Sequence, residues 1–135
     1  MELNKDTFCF VCGGENKHGL QLRIERDGEK GVKTEFIADP RYRGWADYLH
    51  GGVIGLIFDE LFGWNALYVG YDAMTAWMEI RYRRPIPVGS RVMFLRTVEK
   101  ESNRILEMRT YAYLEDRSLA VEGREKMMII NPRKD

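Results

Sequence analysis

The sequence predicts an α+β fold in which a curved antiparallel sheet wraps around one long central helix. Three observations predict it. The segment GGVIGLIFDELFGWNALYV (51–69) repeats apolar residues at the helical period and is apolar nearly all round, so it must be covered by something else. Two strand-length segments precede it and four follow it, all punctuated by turn residues. No second helix is found, which sets the pattern apart from a ferredoxin-like fold.

The elements follow in order. LQLRIER (20–26) and GVKTEFIA (31–38) alternate apolar and polar residues around the turn signal DGEKG, which is the pattern of a hairpin with one wet face. An irregular aromatic segment, DPRYRGWADYLH (39–50), opens with Asp39-Pro40, and a residue before proline is turned away from helix. The helix runs from Gly51 to about Val69, with Val53, Ile54, Ile57, Phe58, Leu61, Trp64 and Tyr68 on its period. MTAWMEIRYRRPIPVG (74–89), SRVMFLRTVEKES (90–102), NRILEMRTYAYLED (103–116) and RSLAVEGREKMMII (117–130) then read as four strands in a meander. In the first of these, Ala76, Met78, Ile80 and Tyr82 fall on one side and Trp77, Glu79, Arg81 and Arg83 on the other, a sheet dry on one face.

A chain of 135 residues without repeat, low-complexity tract or linker is expected to form a single domain over 1–135. Lys+Arg and Asp+Glu are equal at 21 each, so no overall positive field draws the chain to nucleic acid or to an anionic membrane. No basic region followed by an apolar run opens the chain, and no apolar run is long enough to cross a bilayer. The expected compartment is the cytoplasm, with both cysteines reduced.

The helix also carries residues that helix stability alone would not select. Successive residues turn by about 100°, so Gly52, Gly55, Asp59 and Gly63 fall on one narrow stripe, while Glu60 points about 100° away. His50-Gly51-Gly52 stands where the helix starts, and there free N–H groups at the positive end of the dipole suit an anion or a carbonyl oxygen becoming one. Gly52 and Asp59 are separated by roughly 10 Å along the axis, too far to serve one carbonyl within one chain. Used on one substrate, they would have to come from two copies related by a two-fold axis. A plainer reading pairs Asp59 with an arginine, makes His50 a cap, and gives the glycines to packing.

The motif Cys9-Phe10-Val11-Cys12 would need two further ligands to hold zinc. The nearby histidine is His18, and there is no second cysteine pair, so the expectation is a reduced pair in a loop and no metal. A thioredoxin-like role would want a helix to start at the motif, whereas GGEN follows.

His50-Gly51-Gly52 followed by Asp59, with RYRRPIPVG (81–89) after the next strand and CFVCGGENKHGLQLRI (9–24) at the start, resembles the hotdog-fold acyl-CoA thioesterases, most of all the phenylacetate-degradation type and its relatives. The resemblance covers most of the chain and implies a hotdog fold assembled as a homodimer or a dimer of dimers. It implies hydrolysis of an acyl-CoA thioester with no cofactor beyond the coenzyme A of the substrate. Gly52 N–H would polarise the carbonyl, Gly51 would allow close approach, Asp59 of the partner chain would activate water or attack, and His50 would orient the thioester. Several relatives place an asparagine shortly before the histidine, where this chain has Gly44, Trp45 and Asp47. Arg81, Arg83 and Arg84, with Arg41 and Arg43, are candidates to meet the coenzyme A phosphates, against the plainer reading of a solvated sheet face. Trp45, Tyr48 and Phe62 are candidates to line an acyl pocket. A non-catalytic hotdog module that binds an acyl-CoA is the alternative function.

Overall fold

The computed structural model describes residues 3–132. It has strands β1 (Glu25–Asp27) and β2 (Gly31–Ile37), a short 3-10 turn (Pro40–Tyr42), helix α1 (Gly51–Tyr68), and strands β3 (Tyr71–Tyr82), β4 (Arg91–Glu101), β5 (Ile105–Tyr113) and β6 (Leu119–Pro132). The strands form one antiparallel sheet in the order β1-β2-β4-β5-β6-β3, with α1 packed on its concave face. This is the hotdog arrangement that the sequence predicts.

Three expectations are corrected. The first strand is only three residues long, because Gln21 has a positive φ of 52° and the N–H groups of Leu20 and Leu22 turn back to the carbonyls of Phe10 and Val11. The four later strands are not one meander. β4, β5 and β6 are, but β3 pairs with β6 and stands at the sheet edge, while β4 pairs with β2. The proline-containing segment after β3 carries the chain back across, and it is tied down there when Gly89 N–H donates to Ala38 O at 2.8 Å. Finally, β3 is not dry on one face. Met74, Met78 and Tyr82 are exposed along with Trp77, and Ala76 interrupts the pairing register with β6.

Helix α1 buries Ile54, Ile57, Phe58, Leu61, Phe62, Asn65 and Ala66 against the sheet. Phe58 meets the edge of Phe94 at 5.9 Å between ring centres, and each such large apolar side chain contributes about 1.5–3 kcal/mol by leaving water. The helix crosses β6 at Gly123, where a Cβ would lie 2.7 Å from the Phe58 ring, so this close approach requires glycine. Under the helix lies a buried ion pair. Arg96 Nη1 donates to Thr110 Oγ1 at 2.8 Å, stands 3.5 Å from Glu125 Oε2, and its guanidinium stacks 3.6 Å from the Phe62 ring centre. Burial pulls Arg96 down to about 9 and pushes Glu125 up to about 7. The segment ahead of β1 lies along α1, with Val11 and Leu22 buried and Cys9, Leu20 and Ile24 packed on the core.

Candidate functional site

The start of α1 is held from two sides. His50 N–H donates to Tyr42 O, and Leu49 N–H donates to Ile86 O, both at 2.9 Å. Gly44 lies against His50, and a Cβ there would sit 3.2 Å from the His50 Cα. Extended backbone at His50 makes it the N-cap, and its Nδ1 accepts from Gly52 N–H at 2.8 Å. An imidazole whose Nδ1 accepts carries its proton on Nε2, which leaves that N–H as a donor at the site.

This geometry redirects one expectation. The Gly52 N–H is used by the cap, whereas the N–H of Gly51 has no acceptor among the described residues. From the other side, Tyr82 of β3 donates its hydroxyl to Gly51 O at 2.8 Å and fixes the first turn. Its ring lies 3.5 Å from where a Gly51 Cβ would be. Gly51, rather than Gly52, therefore presents the unused donor at the positive end of the helix.

The stripe of Gly52, Gly55, Asp59 and Gly63 faces β3 and the amino-terminal segment. A Cβ at Gly55 would touch Ile80 at 3.6 Å, and one at Gly63 would touch Lys5 Nζ at 3.6 Å. Asp59 is exposed, and its Oδ1 accepts from Thr75 Oγ1 at 2.8 Å. It has no ion-pair partner among the described residues, so the reading of an arginine-paired structural acid does not hold. The buried charge of Arg96 acts on it from beneath.

Glu60, one residue on, has the structural partners. Its carboxylate accepts from Lys5 Nζ at 3.1 Å, from Trp64 Nε1 at 3.2 Å and from Cys9 Sγ at 3.5 Å. Burial works to raise its pKa, but the hydrogen bond with Cys12 and the charge of Lys5 outweigh it and hold the group below the usual range. The same burial, with the acid beside it, pushes the Cys12 thiol up to about 12.

The arginines separate. Arg81 pairs with Glu79 at 3.4 Å and lines a polar hollow of about 230 Å³ with Arg109 and Arg124. Arg83 Nη2 donates to Glu122 at 3.3 Å, and Arg84 follows it in the exposed segment that reaches the helix start. Phe62 belongs to the core, while Trp45 is 85% exposed. Two participants were missed in the sequence. Thr75 belongs to no motif and Tyr82 lies in RYRRPIPVG without a role read for it, and only the placement of β3 alongside α1 brings them to the site.

The sequence profile of the Thioesterase superfamily matches residues 46–121. Acyl-coenzyme A thioesterase THEM4 of Xenopus laevis is 35% identical over 76 residues, 56% of this chain and 34% of the relative. Its Mus musculus counterpart is 29% identical over 107 residues, 78% of this chain and 46% of the relative. The chain thus spans between a third and a half of the length of these curated relatives. Among solved structures, the smu.793 protein of Streptococcus mutans bound to acetyl CoA superposes with a TM-score of 0.79 at 15% identity, covering 84% of this chain and 91% of that one. The E. coli PaaI protein from the phenylacetic acid degradation operon also gives 0.79, at 16% identity over 84% of this chain and 83% of its own. With the profile spanning more than half of its length, including the helix start and Asp59, the chain belongs to the thioesterase superfamily.

Proposed function

We propose that this chain hydrolyses an acyl-CoA thioester at a site built by two copies. The observation that carries the reading is Asp59, an exposed carboxylate on a largely apolar helix that makes no ion pair among the described residues, feels the Arg96 charge only from a distance, and accepts a hydrogen bond from Thr75. Gly51 lies eight residues earlier, about 12 Å along the axis, so one thioester cannot use both groups of one chain. Strand β3 is the sheet edge and exposes Met74, Met78 and Tyr82 beside the site. Pairing of β3 with its two-fold mate would cover these residues, extend the sheet, and set Asp59 of one copy opposite Gly51 of the other.

In this reading the thioester carbonyl accepts from Gly51 N–H, with the His50 Nε2–H turned toward the acyl group. Thr75 holds one oxygen of Asp59, and the other takes a proton from water as the water oxygen bonds to the carbonyl carbon. The tetrahedral oxyanion then collapses, the carbon–sulfur bond breaks, and the coenzyme A thiolate leaves to be protonated by solvent. No metal or further cofactor takes part. Arg84, with no ion pair among the described residues, would meet the phosphates of the coenzyme A moiety, while Arg81 and Arg83, held by Glu79 and Glu122, would have to leave those partners to contribute. The family membership, and the relatives named as acyl-CoA thioesterases, support the substrate class.

The test is free-thiol release from a panel of short, long and aromatic acyl-CoAs. Asp59→Asn keeps the size and the hydrogen bond with Thr75 while removing the base. It is expected to lower kcat by roughly 10²–10⁴ with little change in KM. Binding of acyl-CoA by both proteins, with thiol release from neither, would hand the reading to the non-catalytic module.

A further inference from the structure

The proposed reaction makes no use of Cys9 and Cys12, yet the fold builds a site around them. Cys12 N–H points at Cys9 Sγ at 3.4 Å, and Gly13 N–H donates to Cys9 O at 2.9 Å. A Cβ at Gly13 would lie 2.4–2.6 Å from the backbone of Thr7 and Cys9, so the turn closes only with glycine. This knuckle folds both sulfurs to one side, against α1. There Glu60 brings a third donor, its two oxygens 3.5 and 3.7 Å from Cys9 Sγ. One ligand atom from each of the three residues lies within 4.8 Å of the others. Sequence spacing could not show this, because Glu60 is 51 residues from Cys9 and joins the pair only when the amino-terminal segment lies along the helix.

We propose that Cys9, Cys12 and Glu60 bind a zinc-class divalent cation. Zn–S bonds of about 2.3 Å and Zn–O bonds of about 2.1 Å at a tetrahedral angle put sulfur and oxygen about 3.6 Å apart, which matches the separation of Cys9 and Glu60. Three protein donors leave the fourth position to water. The N–H of Cys12 is already directed at one sulfur, as a thiolate requires. On binding, the two thiols release their protons to solvent. Two thiolates and one carboxylate exceed the charge of the cation by one, and Lys5, 3.1 Å from Glu60 and 4.7 Å from the Trp64 ring centre, supplies the balancing charge. The cation fastens the amino-terminal segment to α1 one residue from Asp59. It takes no part in the proposed hydrolysis.

The experiment uses the full chain, reduced, equilibrated with zinc or cobalt(II) and desalted. The expected result is one metal per chain by elemental analysis and, with cobalt, the intense near-ultraviolet absorption of a thiolate-bound ion. Loss of an outer-shell partner alone costs 10–100-fold in metal affinity, so loss of a ligand in Cys12→Ser or Glu60→Gln should weaken binding by more than about tenfold. Zinc should raise the Tm of the native chain and leave that of Cys12→Ser unmoved. Folded native protein that retains no metal, cobalt without thiolate absorption, or equal binding by native and Glu60→Gln would each overturn the proposal. The cobalt spectrum of the native chain decides the matter even if the cysteine variant does not fold.

Discussion

The two flanks of the sheet are finished to different degrees. In β4 and β5, every second residue from Val92 to Val98 and from Leu106 to Ala112 is buried, and even the ion pair of Arg96 and Glu125 is closed over by Phe62. β3 instead leaves a run from Met74 to Met78 exposed, although it is one of the longest strands of the sheet. The helix lies between them and shows the same contrast, with Phe58 and Phe62 turned to the closed flank and Asp59 to the open one. One flank is a completed core. The other is left exposed at the edge of the sheet, and it is where the unused donor and Asp59 stand.

Three substitutions test that contrast, in falling order of effect. On the closed flank, Arg96→Met leaves Glu125 buried without its cation and should cost about 3–5 kcal/mol in denaturant unfolding. A cost under 1 kcal/mol would show that the flank is less sealed than its burial suggests. On the open flank, Met78→Lys places a charge at the β3 edge. If the proposed dimer forms through β3, this should convert it to monomers in sedimentation and depress thiol release, while unfolding of the monomer changes by no more than about 0.5 kcal/mol. The smallest effect is expected for Thr75→Val, which removes one hydrogen bond to Asp59 and should lower kcat by roughly five- to tenfold, about 1–1.5 kcal/mol, with stability unaltered. Loss of stability with intact kcat would make Thr75 a packing residue instead.

The helix and the strands were legible in the sequence because burial imposes a period on them, from Val53 through Tyr68 and in the alternation of residues 91–98 and 105–112. The position of β3 was not. Alternation reports which face of a strand is apolar and is blind to its neighbour, so a strand that crosses to β6 reads the same as one beside β4. The site shows the same limit. Asp59 and the glycines stand out as residues a buried helix has no need of, and the plainer of the two readings of His50, a cap at the helix start, is what the structure shows. Which N–H the cap consumes is decided by a rotamer, and so the sequence does not distinguish Gly52, whose N–H the cap takes, from Gly51. Thr75, Tyr82 and the approach of Glu60 to Cys9 are contacts at sequence separations of 16, 31 and 51, and no local pattern records them.

The glycine at position 123 gives the fold a fulcrum. Phe58 rests on β6 at a residue without a side chain of its own, with the Glu125 carboxylate beside it, and Asp59 is the next residue of the helix. The helix can therefore sink no deeper than that backbone allows and has no reason to ride higher. A methyl group at this one point would press on the Phe58 ring and on the Glu125 carboxylate, and a displacement of Phe58 would carry to the next residue and change the gap between Asp59 and Thr75. The span across which the acid must work is thus gauged by an atom that is missing on a different strand.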